Sequence, residues 1–429
     1  MNKSRLRKIA GRLRSFRGSM VLVVAGLLSA GAGAGAADWT QWGGAGRDFM
    51  VDGGPSLSSW SDSGPAKIWE RPLGDGYATI VAHGDLLFTQ YRPGEKDVEY
   101  VIAMRAKDGK TVWEHETKSP YTETMKQFGP GPSSTPVVAN GHVFAVGANM
   151  MLHAFAQETG KVVWSKNLVE EFGATVPGRG YCASPIAFGD TIIVPVGAGE
   201  GKSIIALKQK DGNVAWSKHD YQMAHASPIL GDVAGTTQLV FATKAHMIGI
   251  DPNDGTLHWE QQLNPEGAYL ASPILLPDDH IFISSAYGGG SHLIKVAKDK
   301  AKQKSSEVWY GRKLRIHHAN AIFRDGHIYG SSGDFGPAFI TCIEMATGEM
   351  KWRKRGFSKA TLVQSGDKTV LLDEDGQLAL ATLTPDDMQV HCQTQVAELY
   401  AWAAPTLIDG KLYVRDRKNM VAFDLRAGN

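Results

Sequence analysis

Residues 154–164 read AFAQETGKVVW. The same frame recurs at residues 103–113 (AMRAKDGKTVW), 206–216 (ALKQKDGNVAW), 249–259 (GIDPNDGTLHW) and 342–352 (CIEMATGEMKW). In all five a small residue is followed six positions later by Gly and ten later by Trp. Recurrence of this kind marks a supersecondary unit that buries its apolar face only by stacking on copies of itself. Each copy reads as a β-hairpin. An apolar strand runs in, Asp-Gly or Thr-Gly turns the chain, and Trp lies on the returning strand. The glycine suits the left-handed position of a short hairpin loop. The Trp ring is wide enough to cover a seam between neighbouring sheets, and its N–H needs a partner there.

Tryptophans of this type stand at Trp69, Trp113, Trp164, Trp216, Trp259, Trp309 and Trp352. The unit at Trp309 carries a Lys-rich insertion, residues 298–304, in its turn. An eighth unit is degenerate, with Ala381, Asp387 and His391 at the small, Gly and Trp positions. The spacing of 39 to 52 residues suits one four-stranded propeller blade. The expectation is an all-β, eight-bladed β-propeller over residues 67–429, with seven blades as the alternative if the degenerate unit merges with a neighbour. Trp69 ends a strand with no hairpin before it, and residues 422–428 (AFDLRAG) begin a hairpin with no Trp after it. The N-terminal strand is therefore expected to complete the C-terminal blade and close the ring, which removes open sheet edges.

Seven basic residues and no acid precede Asp38, around an apolar run at residues 20–30 followed by GAGAGAA. This is read as a secretory signal over residues 1–37, too short in its apolar core for a membrane span. Residues 38–66 are read as an irregular arm lying on the main body. Without the leader's charges the chain holds 38 basic and 44 acidic residues, a net of −6. That balance excludes nucleic-acid binding by phosphate neutralisation. Cys182, Cys342 and Cys392 form neither a disulfide framework nor a metal pair. The expected mature protein is monomeric, exported to the periplasm or beyond, and without a membrane span.

A second signature marks the first strand of each blade, Ser184-Pro185, Ser227-Pro228, Ser272-Pro273, Thr135-Pro136 and Ala404-Pro405. Proline starts a strand where no ladder donor is required. Just before these positions lie Tyr77, Ser133, Tyr181, His225, Tyr269, His317, His318 and Trp402. They are expected to converge on one mouth of the central channel, where aromatic and imidazole side chains can stack on and hydrogen-bond a flat ligand. Neighbouring strand residues point to opposite faces, so His317 and His318 are not expected to share one metal ion. No metal site is expected. The Gly-rich residues 287–290 read as a loop without phosphate-loop chemistry, and residues 295–304 as a solvated basic hairpin tip.

The repeat, the Ser-Pro strands, the opening DWTQWGGAGRD and above all residues 170–216 resemble the pyrroloquinoline-quinone-like β-propeller family, in particular its exported members. The superfamily also includes quinone-dependent alcohol dehydrogenases and a propeller lipoprotein that assists outer-membrane barrel assembly. A dehydrogenase of that kind would need PQQ, a Ca²⁺ cage of oxygen ligands and a carboxylate base. No such constellation, and no adjacent cysteine pair, is found here. Members of the family often carry a basic residue where Ser133 stands, and its absence weakens an anionic ligand site. No cofactor is expected; PQQ with calcium belongs to the alternative reading. The expected function is a non-catalytic binding or scaffold module with a protein partner engaged through blade loops, of which residues 116–132 are the best candidate. The alternative is a quinoprotein oxidoreductase with an altered cage.

Overall fold

The computed structural model describes residues 38–94, 96–120, 129, 131–300, 302–334, 336–398 and 400–426. The expected signal segment and residues 121–128 and 130 of the expected partner loop lie outside them. Alternating apolar strands and tight turns give eight sheets, each a four-stranded meander, with a fifth short strand added to one. Blade 1 comprises Val81–His83, Leu86–Tyr91, Val98–Arg105 and Thr111–Lys118. Blades 2 to 7 follow over residues 137–167, 186–218, 229–262, 274–311, 316–354 and 361–395. Blade 8 takes three strands from residues 406–424 and its outermost from Ala66–Pro72. Trp69 pairs with Ala422 and Lys67 with Phe423, so the N-terminal strand completes the last blade. One helical turn, Leu168–Phe172, is capped by the Asn167 side chain and by left-handed Gly173.

The repeat signature becomes a seam between blades. In six units the Trp pairs across the sheet with a small residue, as in Ala154–Trp164 and Gly249–Trp259, beside a shift in register, and in the irregular unit Trp309 pairs with Leu293 instead. A Cβ on Gly249 would lie 2.2 Å from the Trp259 indole nitrogen, so bulk is excluded there. The indole then reaches the next blade. Trp69, Trp113 and Trp164 donate to the carbonyls of Ala106, Gln157 and Gln209 at 2.9, 2.8 and 2.7 Å. Each ring lies on that blade's turn glycine: a Cβ on Gly160, at φ 68°, would sit 2.5 Å from the Trp113 ring.

Three seams depart from the rule; at one, Trp352 still donates to Thr384 O of blade 7 at 2.9 Å, but the turn it meets, residues 384–387, has no glycine. Blade 5 has a long hairpin, Gly290–Asp299 and Lys302–Gly311, in place of the glycine turn. Trp259 therefore donates to Gln238 Oε1 within its own blade at 2.7 Å, and Gln238 Nε2 donates to Gln303 Oε1 of that hairpin at 2.6 Å. In blade 7 the pairing sets Leu380 opposite Cys392 and Ala381 opposite Val390. The degenerate unit is thus one residue out of the register expected for it: Leu380 and Cys392, not Ala381 and His391, hold the small and Trp positions. Cys392 is too small to cover the seam. The arm does so instead: Trp60 packs against the core there and donates its backbone N–H to Cys392 Sγ at 3.4 Å, while Ser58 N–H binds Leu425 O at 2.8 Å.

The Ser-Pro signature forms a second ring, nearer the axis. The backbone N–H groups of Thr79, Thr135, Ser184 and Ser227 donate to the hydroxyls of Thr135, Ser184, Ser227 and Ser272 at 2.9–3.1 Å, each in the next blade. The first strands begin directly after the prolines. The missing proline donor falls outside the ladder, and the hydroxyl one residue earlier joins the blades.

Closure rests on the Trp69 seam, so Trp69→Ala should lower the unfolding free energy by about 2–4 kcal/mol, the range for loss of a large aromatic from a packed site. Gly160→Ala, which adds left-handed backbone strain to a clash with Trp113, should cost at least about 1–2 kcal/mol. Urea unfolding followed by tryptophan fluorescence measures both. A loss below about 0.5 kcal/mol at Trp69, the level of an ordinary surface change, would place closure elsewhere.

Candidate functional site at the channel mouth

A meander fixes which loops meet at each end of the ring. First strands run away from the mouth, so the connections between blades and the turns joining second to third strands all gather around it. The opposite end carries the tight turns, and the arm closes it. Trp39 pairs with Ala82 of blade 1, Thr40 O accepts from Val138 of blade 2, and Met50–Val51 runs parallel to Gln364–Ser365 of blade 7. Between these anchors Arg47, 2% exposed, donates to Pro228 O at 2.8 Å and to Pro185 O. Burial lowers its pKa to about 9, which leaves it cationic at neutral pH, surrounded by carbonyl dipoles. The arm expected to lie on the body thus stoppers the channel and converts it into a funnel. Trp42 and Phe49, edge to face at 4.7 Å, lie in its lining.

The funnel encloses a cavity of about 180 Å³. Six of the eight residues expected at the mouth line it: Tyr77, Ser133, His225, His317, His318 and Trp402. Tyr181 and Tyr269 do not. Each is buried in its blade core, with its hydroxyl bonded to Pro195 O at 2.9 Å and Asn264 O at 3.1 Å. Their successors Cys182 and Leu270 line the funnel in their place. Counted back from the proline, Cys182 and Leu270 hold the position of Ser133, His225 and Trp402, and strand alternation turns the preceding tyrosines away.

His317 and His318 depart from alternation. Blade 6 pairs Ile316 with Ser332 and next Ala321 with Gly330, so the intervening residues leave the ladder. Both imidazoles face the funnel, with Nδ1 to Nδ1 at 2.8 Å, and Tyr287 bonds His317 Nε2 from a second-to-third-strand turn. Burial, joined by the charge of Lys359, brings the His317 pKa down to about 4; burial, then His317, drives His318 further below its usual range. Burial and Arg179 lower His225. All three are neutral at pH 7. Burial raises the Cys182 thiol to about 11, so it is no ready nucleophile. Trp402 lies 4.8 Å from His318 and 5.0 Å from Tyr77, and its N–H is held by Glu374 Oε2 at 2.8 Å, itself paired with Lys359 at 2.6 Å.

The sequence reading missed Arg179. It lies six residues before Pro185, outside the strand signature, yet it lines the funnel. Its charge is felt at Cys182, His225, Tyr287 and His317. It supplies from a loop the basic group that Ser133 lacks.

A family model described as outer membrane protein assembly factor BamB matches residues 97–354, more than half of the sequence. The chain belongs to that family. The Yersinia pestis protein of that name is 26% identical over 211 residues, which cover 46% of this chain and 49% of that one. The chain therefore aligns with about half the length of this curated relative. The crystal structure of BamB from Moraxella catarrhalis has a TM-score of 0.59 at 16% identity, covering 87% of this chain and 99% of the other. The quinohemoprotein alcohol dehydrogenase of Comamonas testosteroni scores 0.59 at 13% identity over 91% and 80% of the two chains. These structural likenesses show the fold alone.

The funnel's donor set does not fit a quinone–calcium centre. Among the described residues no carboxylate lines it. Asn320 is clasped both ways by the Leu362 backbone at 2.9 Å, which occupies its amide oxygen. Glu374 is committed to Lys359 and Trp402. Among the described residues no group of three or more His, Cys, Asp or Glu is placed to hold a metal ion, and no helix is long and apolar enough to cross a membrane.

A histidine held neutral by burial binds its proton more readily in the unfolded chain. The stability it confers is complete above about pH 6.5 and is lost as pH falls toward about 4 for His317. Each such group contributes a slope of up to about 1.4 kcal/mol per pH unit in that window. Urea unfolding at several pH values should therefore give a shallower loss for the double variant His317→Asn, His318→Asn than for the parent. Equal slopes would show that these imidazoles are already free to protonate in the folded protein.

Proposed function

We propose that the chain is an exported, non-catalytic propeller that serves as a binding scaffold in an outer-membrane assembly apparatus. Membership of the BamB family carries this reading. The funnel supports it from the other side, because the described residues of its lining offer no carboxylate to act as a base. Protein partners are expected at the mouth end, where connections between blades such as residues 168–185 gather. Binding residues concentrate on such loops when a rigid scaffold positions them. The opposite end offers short turns and the arm.

Photo-crosslinking side chains at exposed Glu170, Glu200 and Glu266, which lie on mouth-end connections, should capture a component of the barrel-assembly machinery in the envelope of the source cell. The same probe at Asp211, on a turn at the other end, should not. Equal capture from both ends, or none, removes the mouth from the interface. Alcohol-dependent dye reduction by the purified protein with PQQ and Ca²⁺ would replace the scaffold reading with the quinoprotein one.

A further inference from the structure

We propose that the outermost strand of blade 6 docks an extended acidic peptide, one with a carboxylate at every second residue. The inference rests on that strand and does not use the scaffold reading.

The repeat itself supplies the comparison. In each unit the residues one and three after the seam tryptophan lie on the strand face that the indole does not use. Neither is needed for the seam, so they are free to differ between blades. Glu70, Glu114 and Glu260 hold the first of these positions in blades 8, 1 and 4, and Glu116 holds the second in blade 1. Among the seven tryptophan units, blade 6 alone has a cation at both, Arg353 and Arg355. Lys351, at the register shift just before Trp352, extends the series to three cations at alternate residues.

These cations are exposed and uncommitted. Lys351, Arg353 and Arg355 make no hydrogen bond or ion pair with a described residue. Residue 335, the one residue of blade 6 outside the described set, is a phenylalanine and brings no charge. Lys354, between the two arginines, turns the other way and pairs with Asp387 at 2.7 Å. Both guanidiniums instead lie over the Phe339 ring, at 4.8 and 5.3 Å from its centre. Stacking on a ring holds a guanidinium in place while leaving its N–H fork to a ligand. Less side-chain freedom is then lost on binding.

The backbone selects a peptide. Met350–Lys354 ends its sheet: it pairs with Phe339–Glu344 on one side and with no described strand on the other. Such an edge offers a row of main-chain donors and acceptors to an added strand. Alternate side chains of an added strand fall on one face about 6.6 Å apart, the same step as Arg353 to Arg355. Opposite charges across two such strands attract. A lipid headgroup would use the charge and leave the edge unused.

The test is fluorescence anisotropy of a fluorescein-labelled peptide, TEVEVET, titrated with the purified protein at about 50 mM salt, where exposed charges are weakly screened. Saturation with a Kd below about 100 μM is expected. The peptide VTEEETV has the same composition with its acids in one block, and should bind at least about fivefold more weakly. The double variant Arg353→Gln, Arg355→Gln should weaken TEVEVET about tenfold or more. The double variant Lys298→Gln, Lys302→Gln, which removes as much charge from the blade 5 hairpin, should bind it as the parent does. Thermal unfolding reports whether each variant is folded; should the arginine variant fail to fold, Lys351→Gln, expected to weaken binding about threefold, takes its place. The inference is overturned by no saturation up to about 1 mM, by equal binding of the two peptides, by an arginine variant that binds as the parent does, or by an equal loss in the hairpin variant. It is also overturned if the protein sediments with phosphatidylglycerol vesicles through these arginines and TEVEVET does not compete, which would make the strip a lipid contact.

Discussion

An indole lying on the turn glycine of the next blade is the contact on which the ring depends. A four-stranded blade is apolar on both faces and is stable only between neighbours. The Trp–Gly contact sets the distance and tilt of those neighbours, and the indole N–H fixes the alignment by binding a carbonyl of the facing turn. Glycine is required twice over at that turn, by its positive φ and by the indole pressed on it, as at Gly160 beneath Trp113. The departures follow the same logic. Where the glycine turn is replaced by a long hairpin, Gln238 and Gln303 carry the bond across. Where Trp gives way to Cys392, the arm brings Trp60 to the seam. A gap between blades is filled by whatever part of the chain can reach it.

This explains how much of the molecule was legible in its sequence. The Trp–Gly frame has a fixed period, and each copy repeats the same local geometry, so blade count and closure follow from spacing alone. The site is assembled differently. Its residues come one per blade from the entrance to the first strand, three before proline where a proline stands, and an error of one residue turns a side chain from funnel to core. Tyr181 and Tyr269 fall to that error, because a tyrosine beside a cysteine or a leucine looks the better binding residue while alternation places it inside. His317 and His318 fall to the opposite one. Strict alternation separates them, but the ladder breaks between Ile316 and Ala321 and both imidazoles turn inward. Arg179 and the stopper belong to no repeat, and periodicity carries no signal for them.

The stopper changes what the axis can be. An open propeller channel joins two solvent-filled ends; here residues 38–51 span one end, anchored on blades 1, 2 and 7 and pinned to the carbonyls of blades 3 and 4 by Arg47. A buried guanidinium is expensive unless its donors are met, and the carbonyls of Pro185 and Pro228 meet them. Those carbonyls are available because the prolines begin their strands outside the ladder. The residue that opens each first strand and the cation that seals the channel are therefore linked by one backbone constraint.

The same constraint accounts for a fold shared with quinoprotein dehydrogenases while the funnel chemistry differs. Strand entrances converge on the axis in any ring of such blades, so every member inherits a concave site. What the site can do is set by one side chain per blade and by the loops above, which the seams do not restrict. In this chain those positions carry Tyr77, Ser133, Cys182, His225, Leu270, His318 and Trp402. None is a carboxylate, and none can anchor a hard cation. Glu374, beside the funnel, is turned to holding Trp402 in place. A scaffold that keeps its seams can exchange its axial residues, and in this chain the described ones leave a hollow walled by Tyr77, His318 and Trp402.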